Sequence, residues 1–388
     1  MKSPQQRIDR ILLGAVIAVL ILGVLAVYSA SSFRGAEKYG DSACFLKQHL
    51  IRVLIGMLML LIMSRIPYEK LRVITPPLLL VLTVMLVAVL AGDAFHGSRR
   101  SLLLFGRRFQ PSEFMKLVFI FYLATVFARG REANVFRQNT LMIHYYLVLL
   151  IVGLVFLEPD LGTALVLFFL AISMFYLGGV SLRKLVQMGL ILMPLVAFGV
   201  FVFPHQRQRL TDFFNSLADS GMINYQVKQS IIGLANGGIT GVGYGSGKQK
   251  LFFLPEPFSD FILASIGEEM GFVGLTVLFV LMLIILWRGI RIALRAPDRY
   301  GFLLASGITC LIMINALVNA GVAVHLLPTT GLPFPLVSYG GSALLMQMAG
   351  IGVLLSISRV AVTPYGEFTE YRSRAVCWNK GDRRCVSW

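Results

Sequence analysis

Charge is what this chain has least of. Asp, Glu, Lys and Arg make up 14% of its 388 residues, where a soluble domain carries roughly 25%. Acidic side chains are the scarcer kind, 19 against 35 Lys and Arg. With a hydrophobic content of 57% and a mean hydropathy of +0.77, that deficit excludes an ordinary soluble domain. Cysteine is nearly as rare. Cys44, Cys310, Cys377 and Cys385 show no metal-ligand spacing and no histidine placed to complete a zinc site, so incidental free thiols are expected. No internal repeat and no low-complexity tract stands out.

What is present is apolar sequence in long blocks broken by short polar clusters, the pattern of a chain whose apolar surface a bilayer hides. Spans are expected near 11–30, 45–63, 73–91, 114–128, 141–157, 161–180, 185–203, 261–287, 301–321 and 342–358. The expected fold is therefore all-α, a polytopic membrane protein of ten transmembrane helices, with one domain over 1–363 and a polar cytoplasmic tail at 364–388. The apolar run from Ile11 to Tyr28 is 18 residues, longer than the 7–15 residues of a signal-peptide core. A retained first helix is expected.

The basic residues sit in loops rather than on one face of a soluble module. That placement argues for topology signals and for membrane and diphosphate contact, and against nucleic acid. With the N-terminus inside, 21 of the 35 fall on the cytoplasmic side, and ten spans return the C-terminus there. One outer segment breaks the rule: Arg99, Arg100, Arg107, Arg108 and Lys116 cluster between 92 and 116. Cations in the wrong place for topology are expected to have a task. Most loops are short, but 204–260 is a long extracytoplasmic loop, read as ordered, partly helical and membrane-apposed.

Four acidic clusters could carry chemistry. Glu256 and Asp260 flank a proline where the long loop enters the eighth helix, at the boundary between water and lipid. Partial desolvation would make either a better general base, and capping the helix is the other reading of Asp260. Glu268 and Glu269 follow about two turns later, roughly 12 Å deeper. Charge at that depth costs about 2.5–3.5 kcal/mol, which marks functional residues, and a structural ion pair would explain them too. Glu158-Pro159-Asp160 makes a tight outer turn. Ser112, Glu113 and Lys116 open the fourth helix with a cap and a shared face. These groups recur on one side of the membrane, at the ends of helices four, six and eight.

The glycine run from Gly237 to Gly247 lacks a surrounding βαβ unit, so it is no dinucleotide site. A turn is the simpler reading, and a backbone nest for a diphosphate the other. The outer loop from Leu327 to Ser342 carries no acid or base, and its prolines and glycines forbid a continuous helix, which suggests a re-entrant wall. Asn315 and Asn319, one turn apart, read as links between helices.

Taken in order, these stretches resemble one family. Arg99-Arg100 precedes Phe109-Gln-Pro-Ser-Glu113; then come Leu157-Glu-Pro-Asp-Leu-Gly-Thr163, Gln229-Ser-Ile-Ile, Leu254-Pro-Glu-Pro-Phe-Ser-Asp-Phe261, Gly267-Glu-Glu269 and the segment from Pro328 to Ser342. The chain resembles the SEDS proteins (shape, elongation, division and sporulation), peptidoglycan glycosyltransferases, and the stretch before Glu256 leans to the cell-division branch, FtsW. The resemblance implies polymerisation of lipid II outside the cytoplasmic membrane, with undecaprenyl diphosphate leaving. Carried over by position, Asp260 is the catalytic carboxylate. Arg99, Arg100, Lys116 and Lys250 meet the diphosphate, with a divalent cation (Mg or Mn) as a possible helper, and Glu113, Asp160, Glu256 and Glu268 line or order the substrate cavity. A class B penicillin-binding protein and other division proteins are the implied partners. Phe258 and Ser259 stand where many relatives read His-Thr, and Ser101 where a Trp is frequent. A rod-shape (RodA-type) polymerase, a lipid II flippase and a scaffold are the competing readings.

Overall fold

The computed structural model describes residues 8–91, 101–104, 107–129, 138–158, 160–190, 203–218, 223–252, 254 and 257–360. These form helices α1 (Arg10–Tyr39), α2 (Cys44–Arg65), α3 (Leu71–Ala91), α4 (Pro111–Arg129), α5 (Gln138–Leu157), α6 (Leu161–Leu177) and α7 (182–190). Then come α8 (Pro204–Ala218), α9 (Tyr225–Gly237), α10 (Gln249–Phe252), α11 (Ile262–Leu294), α12 (Arg299–Ala323) and α13 (Gly341–Val360). One antiparallel hairpin, β1 (Leu102–Leu104) with β2 (Arg107–Phe109), interrupts the helices in the outer segment before α4.

Among the described residues seven helices are long and apolar enough to cross a membrane: α1, α2, α3 with the turn before it, α4, α11, α12 and α13. Helix α6 and the Leu141–Leu157 part of α5 are apolar but shorter. Most of the expected span 185–203 lies outside the described residues. The described part of 204–260 contains α8, α9 and α10.

Lipid is as apolar as a protein core, so these helices need no polar face, and burial shows which side meets protein. Helix α4 is central, with Met115, Phe119, Ile120, Leu123 and Phe127 fully buried, whereas α2 and α3 expose Leu54, Leu58, Val73 and Leu80. Helix α13 packs on α2, α1 on α11, and α12 on α4, α6 and α11. At the end that the charge count puts inside, Asp9 caps α1 through the Leu12 amide and also accepts from Arg288 of α11 at 2.8 Å. Asp298 caps α12 and pairs with Arg72 at 2.7 Å.

Helix α11 is broken at Gly271, where φ is +64 and ψ −163. The break frees backbone groups that hydrocarbon cannot satisfy. The glycine run repairs it. Val242 and Gly243 donate to the carbonyls of Glu268 and Glu269 at 3.0 and 3.1 Å, while Phe272 and Val273 donate to those of Gly238 and Ile239 at 2.9 and 3.1 Å. A Cβ at Gly237 or Gly241 would collide with the Gly267 or Glu269 carbonyl. These glycines serve close backbone approach, and the amides of Gly241, Val242 and Gly243 are spent within the chain.

The segment between α12 and α13 is non-helical and carries buried Leu332, Phe334, Leu336 and Val337. Irregular backbone at this level survives because protein covers it, as the re-entrant reading requires.

Candidate active site

Phe261 occupies the N-cap position of α11, and no side chain bonds the first amides there. Capping therefore does not explain Asp260. Ser259 Oγ donates to Asp260 Oδ1 at 3.0 Å. The Asp260 main-chain carbonyl accepts from Asn319 Nδ2 at 2.9 Å, and the same amide nitrogen donates to the Leu332 carbonyl at 2.6 Å. Asn319, read from sequence as a helix link, ties α12 to the residue before α11 and to the wall segment. Gly331, at φ +72, passes so close that a Cβ there would stand 3.6 Å from Asp260 Oδ2.

Asp260 thus opens on a niche of about 30 Å³ lined by Arg209, Gln226, Asn319, Thr330 and Gly331 among others. Pockets that enclose whole ligands measure about 300–1,000 Å³. This niche has room for the hydroxyl-bearing edge of one ring, and the rest of any large substrate must lie outside its mouth.

Behind Asp260 the chain is aromatic. Phe258 is buried, its ring meets Tyr339 edge-on at 5.4 Å and Phe45 at 5.0 Å, and its carbonyl accepts from the Tyr339 amide at 2.9 Å. The Arg52 guanidinium lies 4.1 Å over the Tyr339 ring. Burial pushes the Tyr339 phenol up, with Arg52 pulling the other way, and the hydroxyl donates to Gln48 Oε1 at 2.7 Å. Phe258, Phe45 and Tyr339 together build an apolar backing behind Asp260.

A second junction joins three helix N-termini. Asp160 caps α6 by accepting from the Thr163 amide at 3.0 Å, and also accepts from Gln110 Nε2 at 3.1 Å, just ahead of α4. The Gln110 amide reaches Ser342 Oγ of α13 at 3.4 Å. Glu113 and Lys116 form a buried ion pair at 2.7 Å. Helix α6 presses on the niche wall, since a Cβ at Gly162 would sit 2.8 Å from the Thr330 carbonyl. Helix N-termini carry partial positive charge and free amides, favourable surroundings for an anion.

Glu268, Glu269 and Lys250 lie elsewhere. The Glu268 carboxylate accepts from the Lys248 and Gln249 amides at 2.9 and 3.1 Å, capping α10. Glu269 forms a buried ion pair with Lys250, and Ser29 of α1 donates to the carboxylate at 2.6 Å while accepting from Lys250 Nζ at 2.7 Å. This is the ion pair left open as an alternative for the deep glutamates.

Among the predicted site residues, Arg99, Arg100 and Glu256 lie outside the described residues. Asp160 bonds Gln110 at the start of α4, the Glu113–Lys116 pair lies in the first turns of that helix, and Lys250 and Glu268 brace α10. Sequence reasoning missed Arg209, Gln226 and Thr330. Their segments carried no chemical signal, because only packing of α8, α9 and the wall segment turns those side chains toward Asp260. Among the described residues no three His, Cys, Asp or Glu side chains gather as a metal cage.

Comparisons with known proteins agree with this architecture. A peptidoglycan glycosyltransferase FtsW of Trichlorobacter lovleyi, so named as probable, is 38% identical over 353 residues, covering 90% of this chain and 93% of that protein. The stage V sporulation protein E of Bacillus subtilis is 36% identical over 359 residues, covering 90% and 97%. A chain from a peptidoglycan synthase complex, described as coordinating polymerization and crosslinking, superposes with TM-score 0.74 at 28% identity, covering 91% and 98%. Rod shape determining protein RodA of Thermus thermophilus gives 0.67 at 26%, covering 92% and 98%. The family model FTSW_RODA_SPOVE, described as cell cycle protein, matches residues 9–362, and the chain belongs to that family.

Proposed function

We propose that this protein is a peptidoglycan glycosyltransferase that polymerises lipid II into glycan strands at the outer face of the cytoplasmic membrane, in septal wall synthesis during division. The observation that carries the reading is a carboxylate, Asp260, that caps no helix and opens on a solvent-reached niche beside converging helix N-termini.

The chemistry is one displacement. Asp260 takes the proton of the acceptor's GlcNAc 4-hydroxyl. The freed oxygen pair forms a bond to the donor anomeric carbon while the bond from that carbon to the diphosphate breaks, and undecaprenyl diphosphate leaves with the electron pair. A single displacement inverts the anomeric centre. Charge on the leaving diphosphate is met by Arg99 and Arg100, helped by the N-terminal ends of α4, α6 and α13. Lys116 and Lys250 join only if their buried pairs with Glu113 and Glu269 open. Otherwise they, with Asp160 and Glu268, hold the frame. Glu256 sits four residues before the base and is assigned to the substrate mouth. A divalent cation would supply further neutralisation of the diphosphate. Mg²⁺ is commonly held by one or two carboxylates plus the substrate's own phosphates, so such a cation would arrive with lipid II.

The partners proposed are lipid II, a class B penicillin-binding transpeptidase and further division proteins. Support for the transpeptidase is the likeness to a chain of a polymerizing and crosslinking synthase complex. The deciding experiment incubates purified protein, alone and with its transpeptidase, with labelled lipid II. Glycan strands are expected from wild type and none from Asp260→Asn. Strands from the variant remove the base, and lipid movement between leaflets without strands replaces the enzyme by a flippase.

A further inference from the structure

The two Nδ2 protons of Asn319 go to two fixed carbonyls, those of Asp260 and Leu332. That fixes the orientation of the amide, so the acceptor atom Oδ1 has to point the other way. Asn319 is 1% exposed, and no group among the described residues donates to its Oδ1. Thr330 repeats the pattern across the same niche: it is 3% exposed, and its Oγ1 has no partner among the described residues. A buried polar atom left without a partner costs about 1–3 kcal/mol, so two of them on residues that line one niche beside a carboxylate need an explanation.

We propose that Asn319 and Thr330 hold the hydroxyl next to the one that Asp260 deprotonates, so that the niche selects an acceptor sugar presenting two adjacent free hydroxyls. The inference rests on the glycosyltransferase reading and deepens it. The neighbouring 3-hydroxyl donates to Asn319 Oδ1 and accepts from Thr330 Oγ1. That clamp turns the ring so that the 4-hydroxyl faces Asp260. Asn319 does this with the amide that also holds the Asp260 backbone, which locks base and acceptor to one side chain. Both are positioning residues, and the niche volume of about 30 Å³ suits one ring edge.

The test is single-turnover extension of lipid-linked acceptors whose terminal sugar is intact, 3-deoxy or 6-deoxy. Wild type is expected to lose about 10- to 100-fold on the 3-deoxy acceptor, the range for leaving a buried polar group unpaired, and little on the 6-deoxy one. Thr330→Val should lose a comparable factor on the intact acceptor and only a residual severalfold more on the 3-deoxy one, that residue being the share of Asn319. Thr330→Ser should restore wild-type discrimination. Asn319→Leu also strips two backbone carbonyls of their donor, so the Thr330 pair and the substrate series carry the test. Discrimination unchanged by Thr330→Val, equal losses on both deoxy acceptors, or no loss on either overturns the proposal while leaving the polymerase reading intact. Absence of extension by wild type on the intact acceptor instead overturns that reading.

Discussion

The Glu269 carbonyl accepts from the Gly243 amide at 3.1 Å, although in an unbroken α11 it would accept from an amide one helical turn later. Across the kink at Gly271 the strand from Gly238 to Gly243 substitutes for helical partners, and it does so on the helix that follows Asp260. Position of Asp260 and integrity of this splice are thereby coupled through nine residues of α11.

Replacing Gly241 by Ala is expected to destabilise the protein by about 3 kcal/mol or more, because the added Cβ meets the Glu269 backbone and neither can yield without opening the splice. Gly245→Ala, also at positive φ but facing open space, should cost about 1–2 kcal/mol from conformation alone. Thermal unfolding of the two variants in detergent or nanodiscs separates them, and equal losses would argue that the splice adds nothing.

Breaking the buried pair from one side should be costly. Lys250→Met or Glu269→Gln alone leaves one charge stranded beside Ser29 and is expected to lose about 3–5 kcal/mol, whereas Lys250→Met with Glu269→Met should recover much of it. If the double variant is stable and still polymerises lipid II, Lys250 is a brace; a stable but inactive double variant would return it to the diphosphate.

The two aspartates at helix starts should separate by stability. Asp160→Ala removes a true cap, and is expected to cost about 1 kcal/mol. Asp260→Asn should leave the melting temperature nearly unchanged while reducing polymerisation by about 10²–10⁴-fold. A large stability loss at Asp260 would contradict the absence of a capping bond there.

Phe258→His tests the apolar backing. The imidazole would be buried among Phe45 and Tyr339, with an expected penalty of about 1–3 kcal/mol and no gain in polymerisation. A gain in rate would show that an imidazole beside the base helps here as well.

Composition alone decided the solvent. Apolar blocks separated by basic clusters require a membrane bundle, because that surface has nowhere else to go, and motif order carried the family and the identity of the expected base. Where the acids ended up was not legible. Asp160 and Asp260 both stand just before a helix within a short polar turn, yet one caps and the other does not: Asp160 accepts from the Thr163 amide, Asp260 from the Ser259 hydroxyl. The glycine run read more simply as a turn than as a phosphate nest, and only the kink at Gly271 shows why the amides of Val242 and Gly243 have partners within the chain. Thr330 and Arg209 had no signal of their own, since a hydroxyl or a guanidinium acquires a role only when a distant helix brings a carboxylate beside it. Sequence determines partition between water and lipid because transfer free energy is nearly additive over residues, whereas tertiary structure decided the site because hydrogen bonding depends on the direction and distance between groups far apart in the chain.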